Sequence, residues 1–328
     1  MSTSKINGRT IVLLILAVLL YVSAFFVDTG PMDYDAVLPF GSPRFLDTVF
    51  GATTLSYILS VVFLIVTAVS IYSFNLMYTT GINYLLPVLY IFLVVYNPRV
   101  IFFSPFHIVA LLLLWSLVFS ARYRNSVQYL SNNFVSFFLF SSASVVYPPL
   151  VWIFPLVILV NIRASEEKLK YVFTSFLGVI TPPVMAGAIC YIVGGNELLN
   201  GLIASFWDTM STLGGYTFDF SAVEITAALF LISFALIATF YVLRNLNRYK
   251  IVHSNTCIRI IFFAILILMI SAVFITDNHD PYGVMLYVPV SLILFEYLSS
   301  PKNNKGAMIF YIVVSGLAII SRIIVFVR

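Results

Sequence analysis

Apolar residues run through this chain in long uninterrupted stretches, and polar residues gather in short gaps between them. A helix needs about 20 residues, within roughly 17 to 25, to cross a hydrocarbon core. By that rule eleven spans are expected, at approximately 10–27, 53–75, 82–97, 104–121, 127–146, 148–163, 171–194, 221–243, 257–276, 281–299 and 306–326. The stretches are continuously apolar and do not alternate as barrel strands do, so helices are predicted. The expected fold is an all-α, polytopic transmembrane helical bundle, a single transmembrane domain over residues 1–328.

Composition agrees with the pattern. Hydrophobic residues make up 61% of the chain and charged residues 9%, with a mean hydropathy of +1.05. A soluble domain carries about a quarter charged residues, so no separate soluble domain is expected. The first apolar run follows Lys5 and Arg9, as a signal peptide would, but it reaches Val27 without a small-residue cleavage pattern. It therefore reads as a retained helix. Neither end carries a lipidation motif.

The distribution of charge adds an orientation. With the N-terminus in the cytoplasm, 13 of the 17 Lys and Arg residues fall on or beside the inner side, in the N-terminus and connections at about 122–126, 163–170, 244–256 and 300–305. Arg44, Arg99, Arg322 and Arg328 remain outside, and the C-terminus is expected there too. Acidic residues sort the opposite way: outside Glu166, Glu167 and Glu296, all lie in or beside outer connections at about 28–52, 97–104, 195–220 and 277–281. The net charge of +4 is thus the remainder of two oppositely charged faces and not a nucleic-acid signal. A multi-pass protein of a bacterial inner membrane, in contact with lipid and with no nucleic-acid partner, is the expectation.

Local motifs exclude several chemistries. Cys190 and Cys257 lie in or at the end of predicted spans without a second ligand beside them in sequence, so neither a disulfide nor a metal site is expected from them. No phosphate-binding loop, dinucleotide glycine pattern, Ser-x-x-Lys or His-Glu-x-x-His sequence is present. No cofactor is evident.

Polar chemistry can gather in the outer connections. The first, Asp28 to Gly51, holds Asp33 and Asp35 around Tyr34, then Arg44 and Asp47, among glycines and prolines that favour an irregular loop. The second carries Arg99, with His107 just inside the following span. In the third, the apolar residues of 198–213 suit the membrane surface, with Trp207 at the interface. In the last, Asp277, His279 and Asp280 precede Pro281; they read as an acid/base or cation-binding group, or as a solvated turn.

Within the spans, Thr181, Pro182 and Pro183 predict a break in the seventh. Gln128, Asn132, Asn133, Ser136, Ser141, Ser142 and Ser144 of the fifth read as helix-to-helix glue in preference to a cavity lining. Arg322, near the outer end of the last span, is either a functional residue or a side chain snorkelling to headgroups. Glu296, close to Lys302 and Lys305, reads as interfacial.

Two resemblances follow. Ser141 to Pro183, with Tyr147-Pro148-Pro149, the turn Arg163 to Lys170, Gly178 and Thr181-Pro182-Pro183, together with Tyr287-Val288-Pro289 onward to Leu298, resembles a family of bacterial polytopic inner-membrane proteins without an assigned function. The architecture resembles the C-class glycosyltransferases that use polyprenyl-phosphate-linked sugars. That resemblance implies catalytic carboxylates soon after the first span, where Asp33 and Asp35 stand with Asp28 as a further candidate. Here the first loop is short and a large C-terminal soluble domain is missing. A carboxylate would activate the acceptor hydroxyl or hold a divalent cation, with His279 and Asp280 as further acid/base candidates. Arg44, Arg99 and Arg322 would hold the substrate phosphate. A transporter or flippase, drawing on the broken seventh span and the Ser-rich fifth, is the alternative from another class. A non-catalytic subunit with membrane-protein partners is the third.

Overall fold

The computed structural model describes residues 8–24, 54–78, 84–96, 98–121, 126–162, 168–211, 222–249, 251–274, 283–300 and 303–327. Among these the structure is helical, with eleven α-helices and no strand. They are α1 (Gly8–Ala24), α2 (Thr54–Tyr78), α3 (Leu85–Val95), α4 (Pro105–Ala121), α5 (Ser126–Val146), α6 (Phe154–Ile162), α7 (Lys168–Ser211), α8 (Ala222–Asn245), α9 (Ile251–Phe274), α10 (Gly283–Leu298) and α11 (Asn304–Val327). Tight 3₁₀ segments at Pro98–Ile101, Pro148–Ile153 and Leu246–Arg248 join some of them.

The helices α3, α4 and α10 form the centre. Nine of the 11 residues of α3 are buried, and α10 packs against α3, α4, α8 and α9. Around them stand α1, α2, α5, α8, α9 and α11, while α7 lies outside, chiefly against α5. One contiguous core runs from Leu13 to Ala318.

The peripheral helices turn their other faces outward, and those faces are apolar. On α2 they carry Leu55, Ile58, Val62, Ile65 and Val69, and on α8 Leu229, Ile232, Leu236, Phe240 and Leu243, all exposed. These residues recur at three- and four-residue steps, so each marks one continuous stripe along a helix. In water such stripes would be a large unfavourable exposure. In α2, α7, α8 and α9 the helices are also long and apolar enough to cross a membrane.

Elsewhere the helices depart from full-length spans. The expected span at 82–97 is an 11-residue helix, which rises only about 16 Å. Enclosed by its neighbours, it has no need to match a lipid thickness. The expected span at 148–163 is a 3₁₀ segment followed by the nine residues of α6, because Pro148 and Pro149 lack the N–H groups that would extend α5. The connection expected over 195–220 is helical as far as Ser211.

The expected break at Pro182 and Pro183 is absent: α7 runs helically through both. Pro183 has no N–H for the Val179 carbonyl, and the Ser141 hydroxyl of α5 takes that carbonyl instead at 2.6 Å. Thr181 adds a bond to the Leu177 carbonyl at 2.6 Å. In lipid this substitution by a neighbouring helix is what lets prolines persist. The interruption falls at Gly195, whose φ of 65° and ψ of −155° suit glycine alone.

Asn133 and Ser141 of α5 bond to α7 and Ser136 bonds to α4, while Ser142 and Ser144 bond back within α5 to the Phe138 and Ser141 carbonyls. The Asn133 amide donates toward the Tyr171 carbonyl, Thr174 Oγ1 and Ser175 Oγ at 2.9–3.1 Å, and Ser136 donates to the Ser116 carbonyl at 2.8 Å. Asn133, Ser136 and Ser141 are glue between helices, as expected. Close approach at the α5–α7 seam requires Gly178: a Cβ there would meet the Phe134 carbonyl oxygen at 2.8 Å and Phe137 Cβ at 2.9 Å. Gly178→Val should therefore lower the thermal stability of the detergent-solubilised protein, at a cost of about 1–3 kcal/mol. Gly316→Ala, where nothing lies within 4 Å of the new methyl, should leave the transition in place.

Candidate functional site

Of the residues nominated from sequence, Arg322 is the one whose side chain is described. Asp33, Asp35, Arg44, His279 and Asp280 lie outside the described residues, as does Asp28. Arg99 contributes its backbone to the Pro98–Ile101 segment, and its side chain lies outside the description.

Arg322 does not snorkel. Its side chain is 6% exposed and turns into the bundle, where Nη2 donates to the Val95 carbonyl at 3.0 Å and the Leu20 carbonyl at 3.4 Å. The last carbonyls of a helix have no partner within it and carry its negative dipole end. Val95 ends α3, so its carbonyl is one of these groups, whereas the Leu20 carbonyl, near the end of α1, also accepts from the Ser23 hydroxyl at 2.8 Å. A guanidinium therefore suits this place on two counts: it supplies donors and it supplies positive charge. Its Nε has no hydrogen-bond partner in the structure.

Other helix ends meet at the same level. Ser60 of α2 donates to the Val100 carbonyl, and Ser56 accepts from the Phe103 N–H at 2.9 Å, so the start of α2 is tied to the Pro98–Ile101 segment and the residues after it. At the start of α4, the Ser104 carbonyl accepts from the His107 N–H at 3.0 Å and Pro105 occupies the first turn, where its missing N–H costs nothing. The Ser104 N–H and hydroxyl lie 3.2 Å and 2.9 Å from Nδ1 of His107, which is 2% exposed. Because a backbone N–H can only donate, Nδ1 is the acceptor and Nε2 carries the proton. Tyr96 lies close to both Arg322 and Tyr287 of α10.

One end of the bundle thus gathers the ends of α1, α3 and α11 and the starts of α2, α4 and α10. Of these, the end of α1 and the start of α2 border residues 25–53, the end of α3 borders residue 97, and the start of α10 borders residues 275–282. All the nominated side chains other than Arg322 and Arg99 fall in those stretches, and Arg99 follows residue 97 directly.

A second cluster stands at the opposite end of α10, and the sequence reading missed it. Glu296 Oε1 lies 3.3 Å from His253 Nε2, which lies 3.7 Å from Cys257 Sγ. The Tyr249 ring meets the imidazole edge-on at 4.6 Å. Burial, and then the Glu296 carboxylate, push the Tyr249 phenol above its ordinary range. Cys257 was read as lacking a second ligand; the correction is that His253, one helical turn before it, and Glu296, brought by α10, both stand beside it. The four-residue spacing from His253 to Cys257 was the available signal. Glu296, read as interfacial, is paired with His253.

No family model, curated protein or solved structure matches the chain.

If the guanidinium holds these helix ends together, Arg322→Leu should destabilise the protein by about 1–3 kcal/mol, the usual cost of stranding buried partners. Thermal unfolding in detergent reads this directly. Arg244→Leu, at an exposed position on α8, should leave the melting temperature near that of the parent.

Proposed function

We propose that the chain is an integral protein of the bacterial inner membrane, crossing it eleven times with the N-terminus in the cytoplasm and the C-terminus outside. It takes part in envelope glycan assembly, as a protein akin to the C-class glycosyltransferases that acts on a polyprenyl-phosphate-linked sugar at the outer face. Asp33 and Asp35 activate the acceptor hydroxyl or hold a divalent cation, with His279 and Asp280 as acid/base partners. Arg44, Arg99 and Arg322 offset the phosphate charge of donor and leaving group.

The observation that carries the reading is the gathering of helix ends around buried Arg322. Every connection nominated for the site borders a helix end at that one level of the bundle. An unpartnered Nε beside the Nη2 bonds leaves the guanidinium with donor capacity to spare. The outward apolar stripes and the four long apolar helices support the membrane assignment. The transporter or flippase alternative drew on a broken seventh span, and α7 is continuous at those prolines.

Reporter fusions within 28–52 and 277–281 should report an external location, and fusions within 163–170 and 244–256 a cytoplasmic one. In the purified protein, supplied with a polyprenyl-phosphate sugar and acceptor lipid, Asp33→Asn and Asp35→Asn should each abolish transfer while leaving the melting temperature unchanged. Transfer that persists in both variants would remove these carboxylates from the role. Silent substitutions combined with constant co-purification of another membrane protein would favour the subunit reading.

A further inference from the structure

The His253, Cys257 and Glu296 cluster lies apart from the proposed outer site and plays no part in it. Its three ligand atoms lie within 4.8 Å of one another, and His253 and Glu296 remain 19% and 18% exposed at the side chain. Cys257 is buried with its sulfur toward the imidazole.

An ion pair alone accounts for two of the three groups. It leaves unexplained a thiol held at 3.7 Å from the same imidazole nitrogen that faces the carboxylate. Both contacts converge on Nε2, which has one hydrogen or one lone pair to offer, so a direct bond can satisfy at most one of them. A cation between the three atoms would satisfy all of them at once. A tetrahedral site with metal–ligand bonds of about 2.0–2.3 Å has edges of roughly 3.3–3.8 Å. The two edges that share Nε2, 3.3 Å and 3.7 Å, fall in that interval; the third, from Cys257 Sγ to the carboxylate, lies within 4.8 Å and closes by side-chain rotation when the cation binds.

We propose that His253 Nε2, Cys257 Sγ and a Glu296 carboxylate oxygen form a three-ligand site for a borderline divalent cation of the Zn²⁺ class, clamping α9 to α10. A nitrogen, a thiolate sulfur and an oxygen suit that class, since harder cations such as Mg²⁺ and Ca²⁺ take oxygen almost exclusively. Two ligands come from one face of α9 at a four-residue step, and the third from the last turns of α10, so binding joins two helices that already pack. Three protein ligands leave a fourth position, where water or the Tyr249 hydroxyl completes the tetrahedron. Binding displaces two protons to solvent, the one on the Cys257 thiol and the one that His253 Nε2 directs at Glu296.

The test uses the full chain, purified in detergent and stripped of metal with a chelator. Titration with Co²⁺ should produce the thiolate-to-cobalt charge-transfer band, saturating at one ion per chain and displaced by Zn²⁺. Cys190→Ser should keep the band, and Cys257→Ser should lose it. His253→Gln and Glu296→Gln should weaken Zn²⁺ binding by at least the roughly tenfold to hundredfold seen when a ligand's supporting partner is removed. Zn²⁺ should raise the melting temperature of the parent and of Cys190→Ser, with no rise for Cys257→Ser. A parent protein that shows no charge-transfer band on Co²⁺ titration overturns the proposal, whether or not the variants fold. So does a band that follows Cys190 in place of Cys257. Because the readout is metal binding, failure here leaves the glycan-transfer reading untouched, and loss of transfer in the Asp variants leaves this site untouched.

Discussion

The constraint on which the structure depends is that a backbone carbonyl released from its helix must find a donor on a neighbouring one. Lipid supplies none, and an unsatisfied group in hydrocarbon costs several kcal/mol by order of magnitude. Here side chains meet that demand across helices at several places. Ser141 serves the Val179 carbonyl, freed by Pro183. Arg322 serves the end of α3, Ser60 serves Val100 and Arg259 serves Ser120 at the end of α4. Each bond both removes a desolvation cost and fixes how two helices sit against each other. Other hydroxyls, such as those of Thr67, Ser142 and Thr239, bond back to a carbonyl one turn earlier in their own helix.

The arrangement of apolar residues follows from the same setting. Burial in the centre, around α3, α4 and α10, is by packing of Leu, Val and aromatic side chains, while the rim helices display equally apolar stripes. Where outside and inside are alike in polarity, hydrophobicity cannot select which face turns inward. Shape and hydrogen bonding select it instead. The Gly178 contact with Phe134 and the Asn133 bonds to α7 are the clearest instances.

Much of the fold was legible in the sequence, since uninterrupted apolar runs between polar gaps predict helices, and helices are found. Length along the chain was a poorer guide to what each helix does. α3 and α6 are short because a helix wrapped in protein is not bound to the lipid dimension, and composition cannot report that enclosure. The prolines of α7 misled for a related reason: their cost is real, but Ser141, 42 residues before Pro183, offsets it. Arg322 was legible as an exception in an apolar helix, though its carbonyl partners, on α1 and α3, were not. The grouping of His253 with Cys257 was visible as a one-turn spacing, whereas Glu296 joins them only through the packing of α10 on α9.

The attachment of α7 has a further consequence. Its 44 residues reach the rest of the protein chiefly through α5, the Pro148–Ile153 segment and α6, with the Trp152 indole donating to the Met210 carbonyl near its far end at 3.4 Å. Such an outrigger shares few bonds with the central three helices, so it constitutes a cooperative unit of its own. Freeing the arm takes opening of the α5 seam together with the Pro148–Ile153 and α6 contacts, and the hub of α3, α4 and α10 contributes to none of these.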